Sequence, residues 1–455
     1  MRVTILNVGG NIDYLYGLVR GLAGVDDLKL EIVDCYRSDL IFDDLKNVRV
    51  FNFLGDSRET ASVPYKILRQ ICFYARFMVY ITTTRSDIFH IQWVSKFEIL
   101  DRLLLVPFYR VLGKALVFTA HNVDANERVD RSSRIHKWSL RFMYSKMDAI
   151  IAHAHDSARR LTESFGVPPD RVSVIRHGIN NKLQFIGLPK GVARASLNLG
   201  PDDRVLLAFG NIEPYKGIEY LVEAVSLLPA DCSVKVVVAG RGSNKKYLNR
   251  LRSLAAERGV ARSFVWHPGF VPDREVETYF AAADCVVLPY RRIFQSGVIF
   301  LAYRFGMPVI ATAVGGLKED VLEGRTGLLC EPDNPLSLAR TIENYFKDVK
   351  WAHRERIREA IISYTATAYS WDSIAVQTLA VYRRITQCAS TRDTERGPSR
   401  GQTLAAIMIQ DPTEMPMNAS DKSSPASWRR AAGNTAEIEN QETQEGLTDS
   451  CSELD

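Results

Sequence analysis

The stretch Val205–Ala224, VLLAFGNIEPYKGIEYLVEA, decides how this chain reads. Val205 to Phe209 form an uninterrupted apolar strand, followed by a loop holding Gly210, Pro214 and Gly217. From Ile218 the apolar residues Ile218, Leu221, Val222 and Val225 recur at helical spacing. A strand that ends in a Gly-containing turn and opens a helix points unpaired backbone N–H groups outward, with the positive end of the helix dipole behind them. Lys216 stands on that rim and makes it a candidate diphosphate site. An ordinary βα turn with a solvated lysine has the same signature, and this stretch alone does not separate the two.

The rest of the chain repeats the alternation. In the first half, strands are expected at 2–7, 29–34, 48–52, 87–92, 115–120 and 148–153, with helical stretches between them. A second series begins near 203 and includes 234–240, 263–269, 284–290, 308–314 and 327–332. Strands apolar on both faces belong to parallel sheets covered on both sides. Two Rossmann-like units are expected, joined through His177–Pro201, with a cleft between their strand C-termini where open α/β sheets bind ligands.

At 455 residues, 46% hydrophobic and 24% charged, the chain reads as a soluble globular protein of two or three domains. The opening MRVTILNVGG reads as a strand and a Gly turn, without the long apolar core of a signal peptide. No run reaches the roughly 18 apolar residues of a spanning helix. Seven scattered cysteines without a C-x-x-C fit a reduced, cytoplasmic setting. The net charge of +5 is uneven: from 391 onward six Lys/Arg face twelve Asp/Glu, so the body before it is strongly basic. A basic body suggests anionic partners, and nucleic acid is the weakest of these because zinc-finger spacing, RNP-like runs and basic-region heptads are missing. Residues 391–455 have no Val, Phe or Tyr and read as a disordered acidic tail.

Taken together, five pieces resemble the GT-B-fold glycosyltransferases, in particular the large retaining group called family 4. They are FGNIEPYKGIEYLVEA (209–224), VVVAGRG (236–242), AAADCVVLPY (281–290), the segment 296–329 that opens SGVIFLAYRFGMPVIATAVGG, and YSWDSIAVQTLAVYRRI (369–385). FHIQW (89–93), FTAHNV (118–123), IAHAHDSARRL (151–161) and VIRHGI (174–179) extend the match more loosely into the first half. The resemblance implies an acceptor domain over 1–180 and a nucleotide-sugar domain over 181–372, facing across a cleft. A closing helix over 373–390 would cross back to the first domain.

By the same resemblance Gly210, Asn211 and Lys216 would hold the donor, with Lys216 neutralising the diphosphate as leaving-group charge develops. Ser296, Gly297 and Val298 would offer helix N-terminal N–H groups to that diphosphate, with a plain N-cap as the alternative for Ser296. Gly315 and Gly316 would let backbone approach the donor sugar, or form a turn. Glu319 would contact the donor or compensate a helix N-terminus. His121 follows the strand ALVFTA and would stand near the scissile bond, with a hydrogen bond inside its own loop as the alternative. Gly9, Gly10, Asn11 and Tyr14 would lie on the acceptor side.

The chain departs from the family pattern at three places. Asn211 stands where an arginine is common, and Ile293 and Leu301 stand where two glutamates are common. Glu213 is the nearest substitute carboxylate. No D-x-D occurs, so no metal cofactor is expected, and a front-face retaining transfer from a nucleotide-sugar is implied. The basic, aromatic stretches 64–80 and 131–146 suit either amphipathic helices covering a sheet or a peripheral membrane contact that presents a lipid-linked or polysaccharide acceptor. A nucleotide-sugar epimerase and a degenerate GT-B binding subunit remain the competing readings.

Overall fold

The computed structural model describes residues 1–8, 12–34, 41–54, 62–95, 97–124, 133–183, 185–242, 244–348, 351 and 354–394. Gly9, Gly10, Asn11, Arg131, Ser132 and the tail from 395 lie outside the described residues.

The expected pair of parallel sheets is present. In the first, β1 (Arg2–Asn7), β2 (Lys29–Asp34), β3 (Val48–Phe51), β4 (Ile88–Trp93), β5 (Ala115–Ala120), β6 (Ala149–Ala152) and β7 (Val172–Val174) lie in the order β3-β2-β1-β4-β5-β6-β7. In the second, β8 (Val205–Phe209), β9 (Lys235–Gly240), β10 (Phe264–Pro268), β11 (Cys285–Leu288), β12 (Val309–Thr312) and β13 (Gly327–Cys330) lie in the order β10-β9-β8-β11-β12-β13. Strand order reverses between β1 and β4 and again between β8 and β11, and such switch points open the crevices in which doubly wound sheets bind ligands. The extra strand β7 escaped sequence reading because it is three half-buried residues at a sheet edge, too short for a period to show.

Each sheet is covered on both faces by apolar clusters. Leu207, Val237, Val286 and Val309 point to one side of the second sheet, and Leu206, Val236, Val287 and Ile310 to the other. That two-sided burial is why these strands carry no polar alternation.

The last described helix, Trp371–Thr394, returns to the first domain. Trp371, Ile374 and Tyr382 pack in one cluster with Tyr14, Leu18 and Leu22 of the helix Ile12–Ala23. Trp371 fits because two facing residues lack side chains. A Cβ on Gly17 would come within 1.9 Å of its ring, and one on Gly178 within 2.3 Å. The indole N–H donates to the Ile179 carbonyl at 2.8 Å, which fixes the ring in its slot.

The slot predicts that Trp371→Ala costs about 3–5 kcal/mol, as expected for a buried large aromatic. Gly17→Leu, which fills the slot from the other side, should destabilise the same cluster. Urea denaturation of both variants and of the double mutant checks this, and the double mutant should fall short of the sum because the two residues share one contact.

Candidate active site

On the second sheet, β8 ends at Gly210, whose φ of +92° favours glycine. A turn of 3-10 helix, Pro214–Lys216, leads to Gly217 at φ +64° and the helix Ile218–Ser226. Gly217 sits so close to the end of β11 that a Cβ would lie 2.1 Å from the Pro289 carbonyl oxygen. These constraints turn Lys216 inward, leaving it 7% exposed. A Cβ built on Gly210 would be 3.0 Å from the Lys216 Nζ and 3.3 Å from the Val298 side chain. Gly210, Lys216 and Val298 therefore meet at one point, at the β8/β11 switch. Asn211 follows as a half-buried loop residue.

Val298 lies in the first turn of the helix Gly297–Arg304, capped by Ser296 in extended backbone. The Ser296 hydroxyl makes no capping hydrogen bond, so the plain N-cap does not account for its side chain. A Cβ on Gly297 would meet nothing within 4 Å, so protein packing does not demand a glycine there. Space above this helix start is open to a ligand.

Other expected donor residues are engaged by the protein itself. Gly315, at φ +48°, packs so tightly that a Cβ would lie 1.8 Å from the Ile293 carbonyl oxygen, and one on Gly316 would lie 2.0 Å from Gln295 Oε1. Both glycines are required by the neighbouring loop. The Glu319 carboxylate, expected at the donor, instead accepts backbone N–H bonds from His155 at 2.8 Å and Asp156 at 2.9 Å. It therefore caps the helix His155–Phe165 of the opposite domain, whose own N-cap, Ala154, has no side chain able to do so. Ile293 and Leu301 are buried in the apolar cluster beneath the site.

Across the cleft, β4, β5 and β6 end in a histidine cluster. His121 stacks on Trp93 with ring centroids 4.9 Å apart and ring planes nearly parallel. Tyr14, expected on the acceptor side, is 3% exposed and packs edge-on against His121 with centroids 4.5 Å apart. Its helix buries that face, so its ring supports the histidines rather than lining the cleft. His177, at the domain junction, stacks on Phe300 at 4.7 Å.

Hydrogen bonding fixes the proton positions. His153 Nδ1 lies 2.9 Å from the Ile175 carbonyl, which only accepts, so Nδ1 carries the proton. His153 Nε2 must then accept from His121 Nδ1 at 3.1 Å. A neutral His121 is left with a bare Nε2, 2.9 Å from the Gln92 side-chain amide. Burial and the adjacent imidazoles hold the His121 pKa well below its ordinary value, so this neutral form prevails. The structure sets Gln92 Oε1 against this nitrogen, and since neither atom then carries a proton, the bonding requires the amide turned over, with its NH₂ toward His121. His90 continues the chain at 2.9 Å from the Gln92 amide and 2.5 Å from the Tyr382 hydroxyl, on the closing helix. His90, Gln92 and His153 did not emerge from sequence reading, although Gln92 and His153 lie at or just beyond the C-terminal end of a strand, as His121 does, with His90 further back within β4.

Residues 9–183 match the family model described as Glycosyltransferase Family 4, and residues 203–348 the one described as Glycosyl transferases group 1. The chain belongs to this glycosyltransferase family. It is 31% identical over 259 residues to an uncharacterised glycosyltransferase of Methanocaldococcus jannaschii, covering 56% of this chain and 64% of that protein. It is 33% identical over 261 residues to the D-inositol 3-phosphate glycosyltransferase of Acidothermus cellulolyticus, covering 56% and 57%. The matches thus span little more than half the length of these relatives. Among solved structures, sucrose-phosphate synthase from Thermosynechococcus elongatus superposes with a TM-score of 0.66 at 20% identity, over 85% of this chain and all of that one. Anabaena HepE in complex with UDP and glucose superposes with a TM-score of 0.65 at 18% identity, over 84% and all of that chain. These likenesses show the shared GT-B fold.

Asp320, beside Glu319, is buried with its carboxylate 2.8 Å from Gln295 Nε2. Burial pushes its pKa up to about 7, against the opposing pull of Gln295 and Arg176. A carboxyl whose folded pKa lies above its unfolded value of about 3.9 loses stability as pH rises through the window between them. Asp320→Asn should therefore match the parent near pH 4 and exceed it near pH 8 by on the order of 2–4 kcal/mol, measured by urea denaturation at both pH values.

Proposed function

We propose that this chain transfers a sugar from a nucleotide-sugar to an acceptor with retention at the anomeric carbon. The observation that carries the reading is the convergence of the buried Lys216 ammonium with Gly210 and Val298 at an open helix start. A cation there is fixed before the reaction and gains most when the departing diphosphate takes up charge. The N–H groups of Gly297 and Val298 and the Ser296 hydroxyl add donors to the same anion. Neutral His121, on the other domain, has its orientation set by His153, Gln92 and Trp93, and with both ring nitrogens bonded it serves as a fixed wall of the cleft. A front-face route needs no protein nucleophile: the sugar–phosphate bond breaks, the acceptor oxygen bonds to the anomeric carbon, and a departing phosphate oxygen takes the acceptor proton. Charge neutralisation by Lys216 and the helix start makes a metal ion unnecessary in this reading.

The acceptor is proposed to sit at a membrane surface. Among the described residues no helix is long and apolar enough to cross a membrane. The helix Val63–Thr83 is nevertheless apolar on both sides. Phe73 and Phe77, which the sequence grouped with the basic residues, are buried in the core. Tyr65, Ile67, Leu68, Ile71 and Val79 are exposed instead, with Lys66 and Arg76 beside them. Ile135 and Trp138 of the helix Arg134–Ser145 are exposed too. Apolar side chains flanked by cations fit an anionic lipid surface in a cytoplasmic setting.

Release of free nucleotide from UDP-, GDP- and dTDP-sugars in the presence of extracted lipid acceptors tests the transferase. Lys216→Ala should lower kcat/KM by about 10²–10³, the scale of one lost transition-state donor, and EDTA should leave the rate intact. Nucleotide binding without turnover under every acceptor would select the degenerate binding subunit. Co-sedimentation with vesicles containing phosphatidylglycerol should be lost in an Ile67→Ser/Leu68→Ser/Ile71→Ser variant, and retention of lipid binding there would remove the membrane reading.

A further inference from the structure

A cavity of about 240 Å³ opens between the two domains beside the Lys216 loop. It is smaller than the roughly 300–1,000 Å³ of sites that enclose drug-sized ligands, so it suits one sugar ring rather than a whole nucleotide. One wall is the start of the helix His155–Phe165, with Asp156 and Arg160. The other is the loop after β11, with Arg291, Arg292 and Ile293, together with Gly315 and Lys318 after β12. It adjoins the phosphate side directly, because the Arg291 N–H donates to the carbonyl of Tyr215 at 2.8 Å.

The chemistry of this wall is one-sided. Arg160, Arg291, Arg292 and Lys318 are all donors without an acceptor atom. Asp156 is the one carboxylate among the described lining residues, and it pairs with Arg159 and Arg160. Asp333 lies 3.1 Å from Arg291, and both Glu319 oxygens are held by backbone N–H groups. The wall stays cationic after all three carboxylates are counted. Ile293, buried and apolar, adds nothing for a hydroxyl to donate to. Neutral sugars are held by groups that both accept and donate, whereas guanidinium groups recognise carboxylate and phosphate in bidentate fashion.

We propose that this cavity is a sugar subsite specific for an anionic substituent, a carboxylate or phosphate carried by the transferred sugar or by the acceptor sugar, with Arg160, Arg292 and Lys318 as its specificity residues. The inference rests on the transferase reading and names the substrate class of the same cleft.

The test uses the full chain and two arms. In the donor arm, calorimetry compares UDP-glucuronate with UDP-glucose, and GDP-mannuronate with GDP-mannose, with UDP and GDP alone as references. In the acceptor arm, turnover is compared on glycolipid acceptors ending in glucose, glucuronate or glucose 6-phosphate. At least a tenfold preference for the anionic member is expected in one arm, which identifies its source. Arg292→Gln should collapse that preference toward one, and Arg292→Lys should restore part of it. Equal treatment of charged and neutral members in both arms, with nucleoside diphosphate binding intact, overturns the anionic subsite and leaves the transferase. Failure of every nucleoside diphosphate to bind overturns both.

Discussion

The cleft depends on one docking event, the insertion of the Trp371 indole between Gly17 and Gly178. Each doubly wound sheet has a core on both faces, and one face of the first is completed by Trp371, Ile374, Leu379 and Tyr382 of the closing helix. What sets one sheet against the other is the helix that leaves the second domain and buries its apolar side on the first. Trp371 lies at the start of that helix, and its N–H bond to Ile179 ties it to the connection between domains. Lys182, further along the same connection, lies 3.3 Å from Asp13 and 3.2 Å from Asp273, so the linker also spans both domains electrostatically. Those ion pairs are partly exposed and each is worth little, whereas the buried indole contributes several kcal/mol.

The same closing helix reaches the chemistry. Tyr382, three turns beyond Trp371, bonds His90, and the line His90–Gln92–His121–His153–Ile175 runs across three adjacent strands. Every member of that line except the terminal carbonyl is a side chain whose donor and acceptor roles constrain the next. Burial holds His90 to about 3 and His153 to about 4, so the line works with neutral rings at ordinary pH. An imidazole held neutral and bonded at both nitrogens is poorly suited to shuttle a proton and serves instead to fix the wall of the cleft. That agrees with a reaction in which the leaving phosphate takes the acceptor proton.

The fold was legible because parallel strands buried on both faces leave an uninterrupted apolar signature, as at Val205–Phe209 and Val236–Ala239. Lys216 was legible because its strand, turn and helix are contiguous. What failed to show was whatever depends on partners far along the chain. Glu319 looks like any acidic residue near a helix start, and only the assembled cleft puts it on a helix more than 160 residues away. Tyr14 follows the glycine turn in sequence, yet helical phase turns it under the histidines. Phe73 and Phe77 share a helix with Ile67 and Ile71, and because apolar residues occur on its exposed side as well as its buried one, periodicity could not say which face meets the core.

Glu319 spans the cleft by bonding to peptide N–H groups, and this gives the domain contact an asymmetric heredity. Every residue except proline supplies an amide at positions 155 and 156, so the receiving side persists through almost any substitution there. The giving side depends on a single carboxylate of the right length. Side chains at and around positions 155 and 156 can therefore be exchanged while the grip between the halves survives, whereas a change at 319 releases it.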